Sequence, residues 1–90
     1  MKTKLIQLKI GGKVFKVEYV KGLADNGSTD YTTQIINIKD ENTEDGKLTS
    51  IIHECLEVLD ETYDLKLPHQ TIQTLEAGLF QIIKDNFNDK

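Results

Sequence analysis

A disulfide within the chain is excluded at the outset, because Cys55 is its only cysteine. That residue sits among apolar neighbours of an expected helix, where a buried, inert thiol is the plain reading. A lone thiol and the lack of a signal-peptide pattern together point to a reducing, cytoplasmic setting. Apolar runs stop at two or three residues, far short of the roughly 20 a transmembrane helix needs. Arginine is absent, so all eleven basic residues are lysines. Six of them fall in residues 1–21 against Glu18 alone, a local charge of +5, which leaves −9 on residues 22–90. The basic end lacks the interleaved aromatics of a nucleic-acid platform. Its lysines read as the wet face of a hairpin, and nucleic-acid binding is not expected.

Ninety residues make one domain, read as 1–90, with a modest core; chains this short bury about 60–65% of their unfolded surface. In "KLIQLKI", Ile6, Leu8 and Ile10 alternate with Gln7 and Lys9, the period of a half-buried strand. Gly11 and Gly12 then supply the positive φ angles of a two-residue hairpin turn. "KVFKVEYV" returns with Phe15, Val17 and Tyr19 on one face. After a turn-rich loop, "KGLADNGST", the β-branched "DYTTQIINIK" predicts a third strand, expected at the sheet edge.

The rest reads as helix. Asn42 or Thr43 suits an N-cap, with acids in the first turn. Leu48, Ile51, Ile52, Cys55, Leu56, Val58, Leu59 and Tyr63 cover most of the circumference of this helix, so it is expected to be largely buried. One narrow polar strip remains: His53, Glu57 and Asp60, with Glu54 at its border. "DLKL" breaks the helix, and Pro68 suits the first turn of the next. The second helix carries an expected apolar stripe of Ile72, Leu75, Leu79, Ile82 and Ile83, and "FNDK" is expected to fray. The fold class is therefore α+β, an antiparallel hairpin and a third strand packed on two helices.

The strip raises the question of a metal. "HECLE" begins like the H-E-x-x-H helix of zinc peptidases, but Glu57 stands where the second histidine belongs. The only other histidine is His69. From His53 to the helix end is roughly 14 Å at a 1.5 Å rise per residue. From Tyr63 to His69 the chain spans up to about 20 Å if extended, so His69 can double back to the strip. Two histidines and one glutamate form a zinc ligand set that leaves a fourth position open. His53, Glu57 and His69 would be the ligands. Glu54 would be the general base that takes a proton from the attacking water. Asp60 would be an outer partner or auxiliary ligand. Ile36, Asn37 and Ile38, on the expected edge strand, would hold an extended peptide by main-chain hydrogen bonds. The residues alone also admit a solvated helical face bearing no metal.

The order of hairpin, N-G loop, I-x-I strand, "TSIIHE" and second helix resembles the small zincin-like metallopeptidases of bacteriophages and prophages. These are distant relatives of the ImmA/IrrE-type and SprT-type zinc peptidases. Such proteins commonly show T-L-L-H-E-x-x-H followed by L-x-L-S-E-E. The resemblance spans nearly the whole chain and is specific from Thr49 onward. His53 and Glu54 match directly, Glu57 falls on the second histidine, and His69 in "LKLPHQTI" falls at or next to the acidic third ligand. The resemblance implies the ligand order His, His, Glu rearranged to His, Glu, His, with zinc as cofactor. It also implies a peptide or host protein as partner and possible peptide-bond hydrolysis. Tyr31 and Tyr63 are the only candidates to stabilise an oxyanion, with Tyr63 expected in the core. The alternatives are a non-catalytic phage accessory protein that binds a host protein, with or without a structural metal, and a plain structural domain. Oligomeric state is open at this level.

Overall fold

In the computed structural model, which describes residues 5–87, six elements follow one another. Strand β1 (Gln7–Ile10) turns through Gly11 and Gly12, at φ +57° and +80°, into β2 (Lys13–Val20). Both glycines take the left-handed angles that such a turn demands. Leu8 pairs with Phe15 across this antiparallel hairpin. Strands β3 (Gly27–Asp30) and β4 (Ile35–Lys39) complete one sheet in the order β1-β2-β4-β3, with β2 and β4 parallel and β3 antiparallel to β4. Two helices follow, α1 (Glu44–Tyr63) and α2 (His69–Asn86). The α+β class expected from the sequence is the class observed.

Two expectations about the sheet need correction. The strand containing Ile36, Asn37 and Ile38 is not an edge, because β2 pairs with it on one side and β3 on the other. Its main chain is spent on the sheet, and Ile36 and Ile38 are fully buried, so these residues cannot take up a peptide by strand addition. The edge beside them is β3, cut from the segment read as a loop. "GSTD" has little intrinsic strand preference, and pairing to a strongly β-branched neighbour decides its conformation.

Register fixes which side chains face the helices. Val17 pairs with Ile36, and Thr29 pairs with Ile36 from the other side, so all three share a face. That face packs Ile10, Phe15, Val17, Ile36 and Ile38 onto Ile51 and Val58 of α1. The opposite side of α1 packs Leu48, Ile52 and Leu56 against Ile72 of α2, with Leu67, Phe80 and Ile83 alongside. Helix α1 is thus the middle of three layers, which is why apolar residues nearly encircle it.

The helix ends are defined by ordinary capping chemistry. Thr43 Oγ1 accepts a hydrogen bond from the Gly46 N–H at 3.0 Å, with Glu44 and Asp45 in the first turn. Asp64 closes α1 in the left-handed conformation (φ 53°, ψ 49°), and Lys66 is left-handed too, so the chain reverses sharply. Pro68 sits at the N-cap of α2, one place before the first turn where the sequence suggested it. Tyr63, expected in the core, is instead 58% exposed as the last residue of α1. The stripe expected on α2 is also rotated. Ile72 is buried and Phe80 and Ile83 pack inward, while Leu75, Leu79 and Ile82 face outward. Of the tail expected to fray, Phe87 caps α2 and residues 88–90 lie outside the described residues. No helix among the described residues is long and apolar enough to cross a membrane.

Candidate functional site

The polar strip of α1 lies along the seam between the two helices, and His53 is its hub. Its Nε2 lies 2.8 Å from Glu57 Oε2, one helical turn onward. Its Nδ1 lies 2.6 Å from Oε1 of Glu76, on α2. The imidazole is thereby clamped between a carboxylate on its own helix and one on the neighbour. His69, the first residue of α2, brings its ring to 6.4 Å from that of His53, centroid to centroid, at 73°. The doubling back allowed by chain length does occur, and both histidines of the chain meet at one corner.

The reversal that delivers His69 is held by Asp60. Its Oδ1 accepts a hydrogen bond from the Leu67 N–H at 3.0 Å, two residues before His69. Asp60 therefore fastens the interhelical loop; no contact joins it to His53 among the described residues. Glu54 points to the other side of α1. Its Oε1 accepts from Thr29 Oγ1 at 2.7 Å, beneath edge strand β3, and the residue is 7% exposed. Gly27 eases this approach: a Cβ there would sit a tight 3.3 Å from Glu54 Oε2.

Charge is unevenly tolerated here. Burial opposes the charged form of His53, but the Glu76 hydrogen bond and the charges of Glu76, Glu54 and Glu57 outweigh it and raise its pKa. The Glu54 carboxyl is raised by burial, against the Thr29 hydrogen bond and the charge of His53. Burial raises the Tyr31 phenol, helped by the negative charges of Glu57, Glu61, Glu54 and Asp60. That places Tyr31 beside the acidic strip, edge-on to Phe15 at 6.5 Å. Tyr63 is exposed at the far end of α1. Cys55, packed against the sheet, has its thiol pushed up to about 11 by burial, as an inert thiol should.

A surface pocket of about 540 Å³ opens between the β2–β3 connection and the helices, bordered by Asn26, Gly27, Thr49, His53, Glu54 and Glu76. Glu57 and His69 do not line it. His53 therefore stands between two carboxylates, with Glu76 and the pocket at its Nδ1 and Glu57 at its Nε2.

Do these residues suit zinc? The donor types do, since two imidazoles and a carboxylate are a zinc set. One donor pair comes close. Two ligands on one tetrahedral zinc stand about 3.3 Å apart when each bond is about 2.0–2.1 Å, against 2.8 Å between His53 Nε2 and Glu57 Oε2. Among the described residues no three such side chains already stand as a metal-holding group. His53 and Glu57 are turned to hydrogen-bond each other, with the His69 ring near His53. Glu76 is the residue the sequence reading missed. It lies four positions from both Ile72 and Phe80 on the inward face of α2, and a lone carboxylate in an apolar stripe is the signal that would have found it. The chain matches no family model, no curated protein and no solved structure.

Proposed function

We propose that the protein is a zinc-binding, metallopeptidase-like domain of the small phage and prophage kind, holding the metal through His53, Glu57 and His69. The observation that carries this reading is the orientation of His53. One ring nitrogen is held by an outer carboxylate, Glu76, while the other faces Glu57, and the His69 ring stands 6.4 Å away, centroid to centroid. Histidines that bind metals regularly have their second nitrogen fixed by a carboxylate in this way. Zinc, when bound, would supply Lewis acidity at an open fourth position. Glu54 is the base this reading assigns; its carboxyl lies under β3 on the pocket side of His53, so metal binding is the half of the reading that the geometry supports. An extended peptide, if taken up by strand addition, would use the free edge of β3. A host-cell cytoplasmic location belongs with this reading.

The test is metal content of protein purified without an affinity tag. Near-stoichiometric zinc, lost in both His53→Ala and His69→Ala, is the expected result. Wild-type protein that takes up no zinc from a zinc-containing buffer would sink the reading.

One observation favours the non-catalytic accessory reading, in which the domain binds a host protein. Leu75, Leu79 and Ile82 form an exposed apolar stripe along α2, the kind of face that packs on a partner. The Glu54→Gln variant separates the two. Peptide cleavage that vanishes with zinc still bound supports the enzyme, whereas zinc binding with no cleavage by wild type supports the accessory protein.

A further inference from the structure

We propose that Glu76 is a positioning residue: it holds the Nδ1–H of His53 and so commits Nε2 to the side where Glu57 stands. The metal half of this inference rests on the zinc reading above; the hydrogen bond itself does not.

The geometry leaves Glu76 little other work. Its Oε1 lies 2.6 Å from His53 Nδ1, a short distance of the charge-assisted kind. Its side chain is only 22% exposed, on a helical face otherwise given to Ile72, Phe80 and Ile83. Desolvating a carboxylate there costs free energy that packing does not return. An apolar residue would extend the α1–α2 contact with less cost, so the carboxylate is useful for what it grips. What it grips is one specific nitrogen. An imidazole is a ligand through whichever nitrogen lacks a proton, and the hydrogen bond made by the other decides which that is. With Nδ1–H given to Glu76, Nε2 is left to face Glu57 at 2.8 Å. Glu76 also belongs to α2, the helix that carries His69 at its start. The same rigid element thus supplies one proposed ligand and orients another.

The experiment compares full-length wild type with Glu76→Ala and Glu76→Gln. Zinc affinity is measured by chelator competition, and the His53 ring nitrogens are read by nitrogen-15 NMR in zinc-loaded and metal-free protein. In the wild type, zinc should sit on Nε2 with a proton on Nδ1. Glu76→Ala should weaken zinc by roughly 10–100-fold and let Nδ1 lose its protected proton. Glu76→Gln, which keeps an acceptor oxygen, should recover most of the affinity, a rescue that a purely structural role would not produce. Coordination through Nδ1, or undiminished affinity in Glu76→Ala, would overturn the proposal. If the wild type binds no zinc, the metal reading fails, and the metal-free spectra still decide on Glu76. A protected Nδ1 proton present in wild type and lost in Glu76→Ala supports the hydrogen-bond role, and its absence from wild type refutes it.

Discussion

The Asp60 carboxylate accepts the backbone N–H of Leu67 at 3.0 Å, and this one bond ties the end of α1 to the loop that sets down His69. Two left-handed residues, Asp64 and Lys66, bend the chain there; such angles are disfavoured outside glycine and need outside support. Removing the acceptor leaves the Leu67 N–H without its partner. Asp60→Ala should cost about 1–3 kcal/mol of stability by denaturant melts. It should also weaken zinc roughly tenfold through a less fixed His69, with Asp60→Asn retaining most of both.

The rotation of α2 makes a paired prediction. Ile72 is 4% exposed between the helices, whereas Leu79 is 37% exposed on the outer face. Ile72→Ala should therefore destabilise by about 2–5 kcal/mol. Leu79→Gln should change stability by only about 0.5 kcal/mol. Equal losses would mean that the outer face is covered in solution.

Much of this arrangement was legible before the structure, and the failures share a cause. The glycine turn, the Thr43 cap and the proximity of His53 to His69 follow from local chemistry and chain reach. Strand β3 does not, because Gly27, Ser28, Thr29 and Asp30 become a strand only by pairing with β4. Without β3, β4 becomes the expected edge and Ile36–Ile38 the expected peptide-binding segment. The α2 stripe fails for a related reason. Ile72, Leu75, Leu79 and Ile82 form as good a helical face as Ile72, Glu76, Phe80 and Ile83, and hydrophobicity alone prefers the first. Glu76 is inside because His53 gives its carboxylate a partner there, information that belongs to another helix.

Glu54 should behave as a residue kept for something other than stability. Its carboxyl is buried under β3, and that burial raises its pKa against the Thr29 hydrogen bond, so the charged form is held there at a cost. Glu54→Gln keeps an oxygen for the Thr29 hydroxyl and removes the buried charge. The variant should melt higher than wild type near pH 7, with zinc content unchanged and any peptide cleavage gone. A lower melting temperature would mean that the charge of Glu54 is itself part of what holds β3 to α1.

The pH dependence should change sign with the metal. His53 and Glu54 both have pKa values raised in the folded protein. Each therefore binds its proton more tightly folded than unfolded. The stabilisation this gives is complete below the unfolded values, about 6.5 for histidine and 4.3 for glutamate, and is lost as pH rises through the folded ones. Metal-free protein should accordingly melt at lower temperature as pH is raised from about 6 to about 9, and His53→Gln should flatten that slope. Zinc competes with the same protons, since its ligands must be deprotonated. With zinc in excess the melting temperature should instead rise over that interval, because ligand binding to the folded state adds stability as its affinity grows. Melts with and without chelator measure both slopes. Parallel falling slopes would show that His53 exchanges protons in the fold without ever giving up Nε2 to a metal.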